Sequence, residues 1–170
     1  MKTDIMKTDI KFEKFQELAR LLNGKLQIVP LLYGSLGLEV LTGHDFNADD
    51  VDILVPKQFI LDKWSIFENL LENNGYKLVD LHEHTFEKYG CEFSFAGIEN
   101  LEVYAKISAD DISVITAKKC QYKLLSLAQY LVVYEKFSRD EYRVMKGKTP
   151  RDLYKVEYIK AKLMQDNAKS

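Results

Sequence analysis

A chain of 170 residues with 46% hydrophobic and 29% charged residues has the balance of a folded domain with enough material to bury a core. Its 24 basic and 26 acidic side chains leave a formal net charge of −2, which excludes the strongly basic footprint of a nucleic-acid or anionic-membrane binder. No apolar run approaches the ~20 residues of a membrane span. Two cysteines, Cys91 and Cys120, with no recognisable signal peptide point to a reducing cytoplasm rather than a disulfide scaffold.

The first ten residues are MKTDI written twice. A five-residue duplication is too short to be a structural repeat. Residues 1–5 are therefore set aside, and the fold is read from residue 11. Phe12, Phe15, Leu18, Ala19 and Leu22 recur at helical spacing and predict a helix over 11–23, with Asn23-Gly24 as its stop. Pro30 precedes a short apolar strand, Leu31 to Tyr33, which halts at Gly34-Ser35. One or two helical turns follow from Leu36 to Leu41, then a polar loop holding Gly43, His44 and Asn47. The chain next re-enters an apolar strand, Val51 to Val55, with Asp50 and Asp52 alternating at its start.

Strand side chains alternate between faces, so Asp50 and Asp52 point the same way and Asp49 the other. Unpaired, two carboxylates on one face repel each other and resist burial. A hard divalent cation resolves both problems, and magnesium bound by one or two carboxylates takes its remaining ligands from water and substrate phosphates. Gly34-Ser35 supplies the complementary half. Glycine lets backbone approach a ligand, and exposed N–H groups with a hydroxyl hold phosphate oxygens. The stretch from Leu31 to Lys57 reads as a metal–nucleotide site.

Gly-Ser, a spacer, then Asp-hydrophobic-Asp-hydrophobic resembles the signature of the DNA polymerase β-type nucleotidyltransferase superfamily. The likeness is to its small bacterial members, such as the lincosamide and aminoglycoside nucleotidyltransferases and the AbiEii-type toxins. The resemblance implies that Gly34 and Ser35 hold a triphosphate and that Asp50 and Asp52 bind magnesium or manganese. The spacer from Ser35 to Asp50 is 14 residues, somewhat long for the pattern, and many members carry a basic residue soon after the Gly-Ser, whereas here the spacer has only His44.

Beyond Pro56 a helix is expected to run to about Asn74, with Phe59, Ile60, Trp64, Phe67, Leu70 and Leu71 as its apolar stripe and Trp64 in the core. Residues 76–86 read as one strand and Cys91 to Gly97 as a second. On the first, His82 and His84 would share a face, but two histidines make only half a zinc site, and a partly polar cleft is the plainer use. The resemblance implies a third carboxylate on a strand beside Asp50 and Asp52, holding metal and accepting the proton of an attacking hydroxyl. Glu92, in Cys91-Glu92-Phe93, is preferred over Glu102, because Glu99-Asn100-Leu101 reads as the start of a helical turn.

Asp110-Asp111 reads as a turn into a strand over 112–115, with Thr116 capping a helix that carries Lys118, Lys119 and Lys123. The resemblance gives a lysine on this helix the task of reaching the triphosphate, and Lys123 stands in the matching Lys-Leu context. Lys146 to Pro150 breaks the helical C-terminal part, and Arg151 to Met164 resumes it. Arg151-Asp152-Leu153-Tyr154 resembles the Lys/Arg-Asp-hydrophobic terminal helix of the AbiEii-like and lincosamide enzymes. Three uses are open to Tyr130, Tyr134, Tyr142, Tyr154 and Tyr158: an acceptor cleft, a homodimer surface, or packing between helices, which is the expectation.

The reading is an α/β (α+β) protein, a short mixed sheet flanked by helices, with a nucleotidyltransferase-like core over 11–116 and a helical part over 117–170. Its expected activity is metal-dependent transfer of a nucleoside monophosphate from a nucleoside triphosphate, ATP for preference, to a hydroxyl of an unidentified acceptor. The alternative is a nucleotidyltransferase-like protein that binds nucleotide without turnover, in a regulatory or toxin–antitoxin role. A glycosyltransferase with an Asp-x-Asp motif has no Gly-Ser strand before it and uses a larger fold. An eight-fold barrel of roughly 250 residues does not fit this length.

Overall fold

The computed structural model describes residues 2–169, with side chains from Lys7 onward. Met1 of the duplication lies outside these residues. The remainder of the duplication is helical. Helix α1 spans Lys2–Leu26, so the segment set aside from the fold forms its opening turns. The helix also passes the stop expected at Asn23-Gly24, because Asn23 is used in tertiary bonding instead. Its Nδ2 donates to the Ile28 and Gln121 carbonyls at 2.7 and 3.0 Å, and its Oδ1 accepts the Gln121 N–H at 2.8 Å.

The chain continues through β1 (Leu31–Tyr33), α2 (Gly34–Thr42), β2 (Val51–Val55), α3 (Trp64–Asn73), β3 (Lys77–Asp80), β4 (Thr85–Lys88) and β5 (Cys91–Gly97). It ends with α4 (Asn100–Ala105), β6 (Val114–Ala117), β7 (Cys120–Leu124), α5 (Leu127–Arg139), α6 (Glu141–Met145) and α7 (Thr149–Lys169). The strands form one sheet in the order β3-β4-β5-β2-β1-β7-β6. The pairs β2/β5 and β1/β7 are parallel and the others antiparallel. The sheet is mixed and helix-flanked as expected, and longer than the sequence reading made it.

Three expected elements are corrected. The helix after Pro56 is a 3-10 turn over Lys57–Phe59 followed by α3, and Trp64 is partly buried beside the core, edge-on to His84 at 5.0 Å. The single strand over 76–86 is the hairpin β3–β4, with His82, Glu83 and His84 in its turn. Asp80 closes that turn by accepting the Glu83 N–H at 3.1 Å, and His84 takes a φ of 52°. The two histidines therefore share no strand face. The helix expected to carry Lys118, Lys119 and Lys123 is the hairpin β6–β7. Lys118 and Lys119 form its turn at φ 49° and 62°, and Cys120 and Tyr122 alternate inward on β7. Residues 117–124 thus belong to the β6–β7 hairpin of the sheet, and the C-terminal helices begin at Leu127, behind the N-cap Ser126 and its capping box with Gln129.

Alternation sorts the sheet into two faces. Leu32, Val51, Ile53, Val55, Phe93 and Phe95 pack with α1 and α3 in one core. Leu31 and Leu54 face the other core, built with α4, α5 and α7 around Tyr130, Val133, Val156 and Ile159. By the same alternation Tyr33, Asp52 and Ser94 lie on this second face. Gly37 lets α5 close against α2, since a Cβ there would overlap the Tyr130 hydroxyl.

Candidate functional site

A cavity of about 380 Å³ opens on the second face of the sheet. Gly34, Ser35, Asp50 and Asp52, brought forward by the sequence, all line it. Register explains why they meet. Tyr33 pairs with Asp52 across β1/β2, so the end of β1 and the first turn of α2 sit beside the carboxylate. Gly34 takes a φ of 65°, and a Cβ on it would overlap Asp52 Oδ2. Helix α2 has Tyr33 at its N-cap with no side chain accepting from its first turn, so its leading N–H groups are left for an outside acceptor.

Burial, and then the neighbouring Asp50 charge, push the Asp52 carboxyl up to about 6. Burial followed by Asp49 pushes Asp50 up as well. Neither forms an ion pair or side-chain hydrogen bond among the described residues, although positive groups stand around them. Two unpaired carboxylates on one face, with an open cavity in front, fit a hard divalent cation that completes its shell from water and phosphate. Substitution of Gly34 by alanine is expected to cost ~1–2 kcal/mol from backbone handedness alone and to displace Asp52. Thermal unfolding checks this: magnesium-ATP should raise the wild-type Tm and leave that of Gly34→Ala unmoved.

Neither Glu92 nor Lys123 lines the cavity. The residue level with Asp52 on β5 is Ser94, whose hydroxyl is 2.8 Å from the Thr85 hydroxyl. Glu92 shares the face of Ser94 and, one step before the Val51–Phe93 pair, is level with Asp50; it is exposed, opposite Glu87, and does not line the cavity. Among the described residues no group of three ligating side chains is preformed. Glu102, the other candidate, is exposed on α4. Lys123 is level with Leu31, at the far end of β1 from Gly34, and its ammonium donates to the Ala109 carbonyl at 3.2 Å.

The cations come instead from the C-terminal helices and the link between α6 and α7: Arg143, Lys148, Arg151 and Lys155. Lys155 is buried, its Nζ donates to Ser35 Oγ at 2.8 Å and lies 4.8 Å from the centre of the Tyr134 ring. Burial lowers its pKa to about 8, against the opposing pull of Asp152. Arg143 grips the fully buried Asp152 with two bonds, Nε to Oδ2 at 2.8 Å and Nη2 to Oδ1 at 2.7 Å. Arg151 reaches back to the Asn47 carbonyl at 3.4 Å. One signal for these residues was present: positions 148, 151 and 155 recur at helical spacing beside Asp152. What they face is set by α7 packing on α5 and is absent from the local sequence.

No family model matches the chain. It is 38% identical over 148 residues to the uncharacterized protein YnaI of Bacillus subtilis (strain 168), covering 87% of this chain and 94% of that protein. The chain belongs to the YnaI family. Its fold extends the likeness: an antigenic nucleotidyltransferase-like protein from Paracoccidioides brasiliensis superposes with a TM-score of 0.57 at 14% identity, over 86% of this chain and 75% of that one. This YnaI-family chain therefore has a nucleotidyltransferase-like fold.

Proposed function

We propose that the cavity binds a nucleoside triphosphate with magnesium or manganese, and that the protein transfers the nucleoside monophosphate to an acceptor hydroxyl. The observation that carries the reading is the meeting of Asp50 and Asp52, both unpaired, with the uncapped start of α2 in one cation-rimmed cavity. Asp50 and Asp52 hold the metal, which neutralises phosphate charge when bound. The N–H groups of Gly34 and Ser35 take phosphate oxygens, and Lys155 on Ser35 adds a positive charge beside them. Lys148 and Arg151 meet the pyrophosphate. The acceptor oxygen bonds to the α-phosphorus as the bond to the bridging oxygen breaks, the hydroxyl proton passes to a cavity carboxylate, and pyrophosphate leaves.

A second reading, nucleotide binding without turnover, is favoured by one feature. Ser94, not a carboxylate, stands level with Asp52. Calorimetric titration of ATP and a non-hydrolysable analogue, with and without magnesium or manganese, tests what both readings share. If neither nucleotide binds with either metal, both fall. Pyrophosphate release on addition of candidate acceptors then separates them.

The affinity should depend on pH in a bell. Asp52 must be ionised to hold metal, so binding weakens as pH falls through about 6. Lys155 must be protonated to attract phosphate, so binding weakens again as pH rises through about 8. Asp52→Asn should remove the acid limb and Lys155→Met the alkaline one. A profile flat between about pH 5 and about pH 9 would sink the assignment.

A further inference from the structure

Glu39 is a fully satisfied buried carboxylate that the proposed chemistry leaves unused. It lies on α2, one turn beyond Ser35, and is 3% exposed. Its Oε2 accepts the backbone N–H groups of Phe46 and Ala48, each at 2.9 Å, and its Oε1 accepts the Thr8 hydroxyl at 2.9 Å. Lys11, one turn along α1 from Thr8, donates to the Ala48 carbonyl. These bonds grip the loop from Gly43 to Asp49, the long spacer between the two halves of the site. Two residues after the gripped Ala48 comes Asp50. Burying a carboxylate is costly unless it is hydrogen-bonded, and two of these three donors are loop amides that a free loop would turn to water.

We infer that Glu39 is a positioning residue for the metal site: with Thr8 and Lys11 it clamps the 46–48 loop and thereby sets Asp50 beside Asp52. The inference rests on the metal-site reading of Asp50 and Asp52. Asp50 immediately precedes β2 and is exposed, so neither core packing nor a partner side chain holds it. The clamp behind it fixes where the strand starts. The second copy of the N-terminal duplication enters the site in this way, since Thr8 belongs to it.

The test uses the full chain and manganese alone, with binding followed by the loss of the free-ion electron paramagnetic resonance signal. Glu39→Ala removes all three bonds and is expected to weaken manganese binding about tenfold or more, the equivalent of one charged hydrogen bond. Glu39→Gln keeps the geometry, because its carbonyl oxygen accepts both amides and its nitrogen donates to Thr8; it should stay within about threefold of wild type. Rescue by glutamine separates positioning of Asp50 from a direct ionic role of Glu39 in the metal shell, which Gln would not supply. Amide exchange in the wild type needs no variant: Phe46 and Ala48 should be protected despite lying in a loop. Equal manganese affinity in Glu39→Ala and wild type, or unprotected Phe46 and Ala48 amides, overturns the clamp and leaves the metal site standing. No manganese binding by the wild type overturns the metal-site reading and the clamp with it.

Discussion

Replacing Asp50 and Asp52 together by alanine is expected to lower magnesium-dependent ATP affinity about a hundredfold or more. Each lost carboxylate–cation contact is worth on the order of a charged hydrogen bond, ~1.5–3 kcal/mol, and 1.4 kcal/mol is a factor of ten. The same change takes two negative charges out of a cavity rimmed by Arg143, Lys148, Arg151 and Lys155. Free ATP, stripped of metal by chelator, should therefore bind the double variant at least as well as wild type. Loss of metal dependence with survival of phosphate binding is the signature to seek by calorimetry. Unchanged affinity for magnesium-ATP would remove the two aspartates from the site.

The single variant Asp52→Asn should be more stable than wild type at pH 7 without ligand. The folded-state pKa of Asp52 is raised to about 6, above the ~3.9 of an unfolded aspartate. Between these values the folded state holds more protons than the unfolded one, so wild-type stability rises as pH falls through this window. At pH 7 the carboxylate is ionised at a cost that Asp52→Asn escapes, and this advantage should shrink towards pH 4, roughly the unfolded value. Binding sites commonly carry such a stability cost.

Arg143→Ala is expected to destabilise the protein by ~3–5 kcal/mol, the usual result of stripping one partner from a buried ion pair. Asp152 is fully buried and gives both oxygens to the guanidinium. Without Arg143 that charge stays buried and loses both of its guanidinium bonds. Against a total stability of about 5–15 kcal/mol, the expected fall in Tm is roughly 6–20 °C for a chain of this size. The double variant Arg143→Met/Asp152→Leu should recover most of the loss, since it buries no charge. Function should move as well. Asp152 unpaired, and Arg143 no longer repelling, both raise the Lys155 pKa, so the alkaline limb of ATP binding shifts to higher pH. Stability within about 1 kcal/mol of wild type, the worth of a surface pair, would show that Arg143 and Asp152 do not depend on each other.

The sequence by itself determined the half of the site whose signals are local. An apolar run ending at Gly34, the change from strand to helical period at Ser35, and the return to alternation at Asp50 are each written within a few residues of one another. Hence β1, α2 and β2 fell where expected, and Gly34, Ser35, Asp50 and Asp52 meet at one cavity. The hairpins β3–β4 and β6–β7 stayed hidden because their turns use His84, Lys118 and Lys119 at positive φ, without the glycine or asparagine that marks such turns. That concealment moved Lys123 onto an imagined helix. Only the tertiary structure decided the other half. Which residues of β5 stand level with the two aspartates depends on a strand register fixed by the buried faces of the whole sheet: Ser94 pairs with Asp52, and Glu92 comes one step before the Val51–Phe93 pair, level with Asp50. Which cations line the cavity depends on α7 packing against α5, a contact between segments far from Ser35 in the chain, and it brings Lys155 to the Ser35 hydroxyl.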